Sequence, residues 1–136
     1  MRINWIGVII ATLVITILRY LWVAHLGGAD WGHVVQKAIS GVQANHMAGL
    51  MTLASALLVS IGLGFFIGRF RDRSLATGLG VGLGAAIFFA ATTAAAGYVA
   101  AGVVQGPGLH TVLMDAAFYV VAYAIGGALI GAVASK

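Results

Sequence analysis

Four long apolar segments follow one another along the chain, separated by short stretches in which polar residues collect. They cover about residues 3–23, 46–67, 76–104 and 109–133. A helix of about 20 residues, rising about 1.5 Å per residue, crosses the roughly 30 Å hydrocarbon core of a bilayer. The pattern predicts an all-α protein, an integral membrane four-helix bundle that forms a single membrane domain over residues 1–136.

A fifth segment, residues 31–43, has helical periodicity but is too polar to cross a bilayer. Asp30 is a natural N-cap for it, and polar residues fill one side. The apolar residues recur at the spacing of one helix face: Trp31, Val34, Val35, Ala38, Ile39 and Val42. We expect a short amphipathic helix in the interface between the first two spans, either a lid over the bundle or an anchor on the lipid surface.

Composition supports the membrane class and removes several kinds of chemistry. Hydrophobic residues make up 62% of the chain and charged residues only 7%, which no ordinary soluble domain approaches. The chain has no Cys, which excludes disulfides, thiolate zinc sites and cysteine-bound iron–sulfur clusters. The formal charge of +4 comes from few basic residues that mostly flank spans. We therefore expect the lipid bilayer as a partner and no nucleic acid.

The basic residues predict the orientation of the spans. Arg69, Arg71 and Arg73 crowd the turn between the second and third spans, and Arg2 and Lys136 lie near the termini. Short loops rich in Lys and Arg remain on the cytoplasmic side of a membrane. The expected arrangement is N-in and C-in, in a multi-pass protein of the inner (plasma) membrane.

Glycine is concentrated in the halves of the spans predicted to be cytoplasmic. Small residues four positions apart allow helix backbones to approach closely. The pairs with this spacing are Gly64 with Gly68, Gly78 with Gly82, Gly80 with Gly84, and Gly127 with Gly131. We expect them to pack helices within one subunit, with a homo-oligomer interface as the alternative.

Two charged residues, Arg19 and Asp115, lie inside the apolar segments. Charge within a span costs several kcal/mol unless it is paired or hydrated, so such residues usually face a bundle interior or a cavity. Both fall near the outer end of their spans, at depths compatible with an ion pair. Thr16 shares a helix face with Arg19, and Tyr119 and Tyr123 follow Asp115 at four-residue steps. The five residues predict a ligand or ion pocket that opens outward.

Two interpretations of the charged pair stand side by side. In the first, Arg19 and Asp115 form a structural salt bridge that fixes helix register, or Arg19 snorkels to headgroups while Asp115 bonds tyrosines. In the second, Asp115 is a proton- or cation-binding carboxylate. The chain contains no Glu, so Asp115 is the one carboxylate within the predicted spans.

Other candidate chemistry is weak, and we expect no metal, no cofactor and no enzyme activity. The four histidines have no short ligand spacing: His25, His33, His46 and His110. The glycine run from Gly78 to Gly84 begins a membrane span and does not follow a strand, so it does not predict a phosphate site. Ser55 and Ser60 have no neighbouring base in the sequence.

The chain resembles the small bacterial membrane proteins grouped as domain-of-unknown-function family 1761. The likeness rests on Ile3-Asn4-Trp5, on Trp22 and Trp31, on the small residues of the second span, and on Asp115-Ala116-Ala117-Phe118-Tyr119. The family usually has Trp-Tyr and a Pro where this chain has Trp22-Val23 and His25, and an Asn and a His at Asp115 and Tyr119. The resemblance implies a bacterial four-span bundle without an assigned activity.

Three functions remain open. The first is a membrane protein that binds a small or lipidic ligand in an outward-facing crevice. The second is a small transporter or channel subunit coupled through Asp115. The third is an accessory subunit of a larger membrane complex that docks through its glycine faces and interfacial helix.

Overall fold

The chain is all-α, as the pattern of apolar segments predicts. A computed structural model describes residues 3–22, 25, 45–100 and 108–134. The helices are α1 (Trp5–Leu21), α2 (Asn45–Ile67), α3 (Leu75–Ala85), a π-helical segment (Ala86–Ala91), α4 (Thr92–Ala100) and α5 (Gly108–Ala134). The amphipathic helix predicted at 31–43 and the end of the third predicted span, 101–104, lie outside the described residues.

Three of the helical stretches are long and apolar enough to cross a membrane. They are Gly49–Ile67, Leu75–Gly97 and Val112–Ala134, while α1 is a shorter apolar helix of 17 residues. The second of these stretches includes α3, the π-helical segment and most of α4, so the third predicted span has a wider turn in its middle. In the described part of the chain, the protein thus has three helical stretches long and apolar enough to span a membrane and one shorter apolar helix.

Successive helices run antiparallel, which the contacts of their glycines establish. A Cβ built on Gly7 of α1 would lie 3.1 Å from the Cα of Ile130, and one on Gly126 would lie 2.8 Å from the side chain of Ile15. On α2, a Cβ at Gly64 would lie 3.0 Å from Val8, while one at Gly49 would meet the hydroxyl of Tyr20. The helices therefore run up, down, up and down.

We call the end that holds the start of α1 and the end of α5 the lower end, and the opposite end the upper end. The turn between α2 and α3 belongs to the lower end and is fixed by polar side chains. Ser74 caps α3 by accepting a hydrogen bond from the amide of Thr77, and the hydroxyls of both residues donate to Asp72. Arg73 donates to the carbonyl of Gly68 at 3.1 Å. The chain reverses within a few residues because these contacts satisfy the exposed backbone groups.

The buried core lies among α1, α2 and α5. An upper cluster contains Ile15, Trp22, Ala56, Phe118 and Ala122. A lower cluster contains Ala11, Leu63, Ile67 and Ile130. Together they align the charged residues of α1 and α5 at the same height.

The glycines divide into those that meet backbone and those that face open space. A methyl group at Gly78 would collide with the carbonyl oxygen of Gly127, and one at Gly82 with that of Tyr123. A methyl group at Gly131 would collide with the carbonyl oxygen of Ser74. Thus α3 and α5 pack backbone to backbone at these glycines.

The other predicted glycine pairs behave differently. Gly64 packs against the side chain of Val8. Gly68 makes backbone hydrogen bonds at the start of the turn between α2 and α3. A methyl group at Gly80 or Gly84 would have no atom of the described residues within 4 Å, so these two glycines lie on an open face of α3. The same four-residue spacing therefore serves two different faces of one helix.

Candidate functional site

Arg19 and Asp115 form an ion pair at the upper end of the core. The Arg19 Nη1 atom donates to Asp115 Oδ1 at 2.9 Å. The two side chains are unequally buried, because 24% of Arg19 is exposed and only 5% of Asp115. The carboxylate is therefore enclosed by the protein, while the guanidinium has one side that reaches the surface.

The guanidinium of Arg19 also contacts the ring of Phe118, which belongs to a series of aromatic residues. The Arg19 Cζ atom lies 4.5 Å from the ring centroid of Phe118, within the range of a cation–π contact. Edge-to-face contacts extend this series from Trp22 to Phe118 at 5.9 Å, from Phe118 to Tyr119 at 5.6 Å, and from Tyr119 to Tyr123 at 5.9 Å. The position of Arg19 is thus fixed by both a charge and a ring.

Arg19 lines a cavity of about 240 Å³, which we call the polar chamber. Its other polar members are hydroxyl-bearing residues from α2 and α5. The full lining is Ile15, Arg19, Met51, Thr52, Ser55, Ala56, Val59, Phe118, Tyr119 and Tyr123. This lining brings a guanidinium and four hydroxyl groups to one cavity.

A second cavity of about 560 Å³, which we call the apolar chamber, adjoins the first. It lies between α2, α5 and the continuous helical stretch formed by α3, the π-helical segment and α4. Its lining is Ser55, Val59, Gly62, Leu63, Phe66, Ala85, Phe89, Ala90, Thr93, Ala94, Tyr119 and Tyr123. Four residues, Ser55, Val59, Tyr119 and Tyr123, line both chambers, so the chambers adjoin each other, and we call the two together the crevice.

The crevice changes from polar to apolar along α2. The polar chamber is lined by α2 residues from Met51 to Val59, and the apolar chamber by those from Ser55 to Phe66. Since α2 starts at the upper end, the polar chamber lies above the apolar one. From Met51 to Phe66 the helix rises roughly 22 Å, so the crevice follows much of the length of α2.

The apolar chamber opens sideways at the π-helical segment. Phe89, which lines the chamber, is 71% exposed, and the adjacent Phe88 is 74% exposed. Aromatic side chains this exposed on an apolar helix face the surroundings of the bundle. Within the described part of the chain, the apolar chamber is thus open to an apolar molecule at the side of the helices as well as at the polar end.

The structure brings four of the five predicted pocket residues together and places the fifth elsewhere. Arg19, Tyr119 and Tyr123 line the polar chamber, and Asp115 lies behind Arg19. The Thr16 hydroxyl instead donates to the carbonyl of Thr12 at 2.8 Å, within α1 itself. This bond to the carbonyl four residues before it is common for a threonine inside a helix, and Thr16 is not among the residues that line either chamber.

Two site residues were not foreseen as such, Thr52 and Ser55 of α2. They lie three positions apart and so share a helix face, and this spacing of two hydroxyl residues is the sequence feature that could have predicted their common role. Ser55 was considered only as a nucleophile, and the structure instead places it at the junction of the chambers.

Another hydroxyl is buried away from the crevice. Ser60 is fully buried, and its Oγ atom has no hydrogen-bond partner among the described residues. No group of three or more His, Cys, Asp or Glu side chains comes together among the side chains that the structure describes. Of the four histidines, His25 and His110 belong to this set, and His33 and the side chain of His46 lie outside it.

Comparison with family models, with curated proteins and with solved structures finds no match. The resemblance to domain-of-unknown-function family 1761 stays a prediction. The geometry of the crevice is therefore the basis for assigning a function.

Proposed function

We propose that the protein is a four-span, multi-pass protein of a bacterial inner membrane that binds a small or lipidic ligand in the crevice. The packing of α1 along α2 and α5 supports a role for α1 as a fourth span. The arginines of the lower turn, Arg69, Arg71 and Arg73, support an N-in and C-in orientation. In this orientation the polar chamber faces the outer leaflet.

One observation carries the proposal: a polar chamber with a fixed guanidinium adjoins an apolar chamber that opens toward lipid. The apolar chamber, at 560 Å³, falls in the range of about 300–1,000 Å³ that is usual for small-molecule sites. A ligand that follows both chambers has its polar group near the outer interface and its apolar part deeper. This is the orientation that an amphiphile takes in a bilayer.

The alternative of a transporter coupled through Asp115 receives less support from the geometry. A coupling carboxylate exchanges its proton or cation with the transport path, whereas Asp115 lies behind Arg19 with 5% of its side chain exposed. The group that faces the crevice is the guanidinium of Arg19.

Photocrosslinking tests for a ligand in the crevice. Benzoylphenylalanine replaces Phe89, which lines the apolar chamber, or Phe88, which is equally exposed but is not a lining residue. Each variant is irradiated in bilayers made from bacterial lipid extract, and the crosslinked molecules are identified by mass spectrometry. We expect position 89 to capture one amphiphile well above its share in the bilayer, and position 88 to sample the bulk lipids.

A blocking variant completes the test. Ser55→Phe places a ring at the junction of the chambers, and Ala54→Phe places the same ring on the neighbouring exposed position of α2. Ser55→Phe should abolish the selective crosslink at position 89, and Ala54→Phe should preserve it. Identical products at positions 88 and 89, unaffected by Ser55→Phe, would refute a ligand-binding crevice.

A further inference from the structure

The net charge of the crevice limits which head groups of a bound amphiphile it accepts. Among the described residues that line the two chambers, Arg19 is the one charged side chain, and Asp115 lies 2.9 Å behind it. The site as a whole therefore has no formal net charge. This property is separate from the shape of the crevice, which alone would admit any amphiphile of suitable size.

An amphiphile with a charged head group gains little binding free energy at such a site. An anionic head next to Arg19 would also lie close to the enclosed carboxylate of Asp115, so attraction and repulsion largely cancel in a medium of low dielectric. A cationic head would meet the guanidinium first and be repelled. Both would also lose hydration on leaving the interface, and the site does not replace it with a net opposite charge.

An uncharged head that accepts hydrogen bonds fits the lining better. The guanidinium is only a donor, while the hydroxyls of Ser55, Tyr119 and Tyr123 can both donate and accept. Carbonyl, ester and ether oxygens are acceptors without charge. The crevice thus combines a guanidinium that can only donate with an apolar groove.

We infer that the crevice selects an uncharged amphiphile whose head presents acceptor oxygens, with its apolar tail in the apolar chamber. The inference rests on the proposed function and adds the chemical class of the ligand. Two sources share this chemistry: a glycerol ester, such as a monoacylglycerol, and a quinone with a prenyl tail. The test below distinguishes them.

Competition for a photoreactive lipid measures the preference. A photoreactive monoacylglycerol is bound to the wild-type protein in phosphatidylcholine nanodiscs, and unlabelled competitors are added before irradiation. The competitors are 1-oleoylglycerol, ionised oleate, oleylamine and a prenylquinone. We expect 1-oleoylglycerol or the quinone to compete at about tenfold lower concentration than oleate and oleylamine, a difference of about 1.4 kcal/mol.

The outcomes separate the inference from the proposed function. If oleate or oleylamine competes as well as the uncharged lipids, and Ser55→Phe still removes the label, the crevice binds amphiphiles and the inferred selectivity is wrong. If Ser55→Phe leaves labelling unchanged, the crevice is not the binding site and the proposed function fails. Stronger competition by the quinone than by 1-oleoylglycerol identifies the ligand as a prenylquinone, and the reverse order identifies it as a glycerol ester.

A charge substitution tests the cause of the selectivity. Asp115→Asn removes the carboxylate charge and leaves Arg19 unbalanced, so oleate should improve as a competitor by about tenfold relative to 1-oleoylglycerol. Asp72→Asn makes the same charge change in the lower turn and should leave the order of competitors unchanged. An unchanged order in folded Asp115→Asn would overturn the charge argument, and the wild-type competition decides the selectivity if that variant does not fold.

Discussion

Replacing Arg19 and replacing Asp115 should lower the free energy of unfolding by unequal amounts, although both substitutions break the same ion pair. Replacement of Arg19 by Gln leaves the Asp115 carboxylate enclosed, since only 5% of that side chain is exposed. Removing one partner of a buried pair costs about 3–5 kcal/mol, and Arg19→Gln should fall in this range. It also removes the contact with the Phe118 ring.

The opposite change leaves a charge that can reach water. Arg19 is 24% exposed and lies two residues before the end of α1, so its long side chain can extend to the interface when Asp115 becomes Asn. We expect Asp115→Asn to cost about 1–2 kcal/mol, because a hydrogen bond to a charged group is worth about 1.5–3 kcal/mol and part of it can be replaced by water. The double variant Arg19→Gln/Asp115→Asn removes both charges. Its loss of unfolding free energy should therefore be about 2 kcal/mol smaller than the sum of the two single losses.

Equilibrium unfolding in mixed micelles, followed while sodium dodecyl sulfate is added, measures these free energies. Arg69→Gln is a matched control, because Arg69 also lies over a ring, that of Phe65 at 4.8 Å, but at the exposed lower turn. It should cost at most about 1 kcal/mol. The reasoning is refuted if Asp115→Asn costs as much as Arg19→Gln, or if the two costs add in the double variant.

The same titration tests the glycine contacts and the buried hydroxyl. Gly78→Ala should destabilise by about 1–3 kcal/mol or more, because its methyl group would meet the backbone of Gly127, whereas Gly80→Ala on the open face should be neutral or slightly stabilising. A larger cost for Gly80→Ala would place that face in an interface between copies. Ser60→Ala should be neutral or stabilising by up to about 1 kcal/mol, since a buried hydroxyl without a partner among the described residues is removed, and a loss of more than that would reveal a bond to the rest of the chain. Tyr123→Phe should weaken crosslinking at position 89 by a few-fold with little change in stability, and unchanged labelling would exclude its hydroxyl as a donor to the head.

The small-residue pattern predicts close helix packing but does not identify the partner of each glycine. Gly78 and Gly127 meet each other, as the pattern allows, while Gly64 meets the side chain of Val8. Gly80 repeats the spacing of Gly78 and has no such neighbour in the described part of the chain. Residues two apart lie on different faces of a helix, and only the positions of the other helices determine which face is covered.

The charged pair was predictable for a different reason. Intramembrane charge is costly enough that a partner at the same depth is expected, and depth can be read from position along a span. The hydroxyls of Thr52 and Ser55 carry no such cost, because a hydroxyl within a helix can bond its own backbone. Their common role depends on the distance between α2 and α5, which the sequence pattern does not specify.

The crevice and the close packing of α3 on α5 have a common structural origin. At Gly82, α3 touches the backbone of Tyr123, while the side chain of the same tyrosine lines both chambers. Just above this contact the π-helical segment begins at Ala86, and Phe89 lines the chamber from there. The continuous stretch from α3 to α4 is therefore held to α5 at Gly82, and it is its α3 part that packs against α2. The wider π-helical turn lies directly above that part. A substitution that separates α3 from α5, such as Gly82→Ala, should consequently alter ligand binding as well as stability, although Gly82 does not line either chamber.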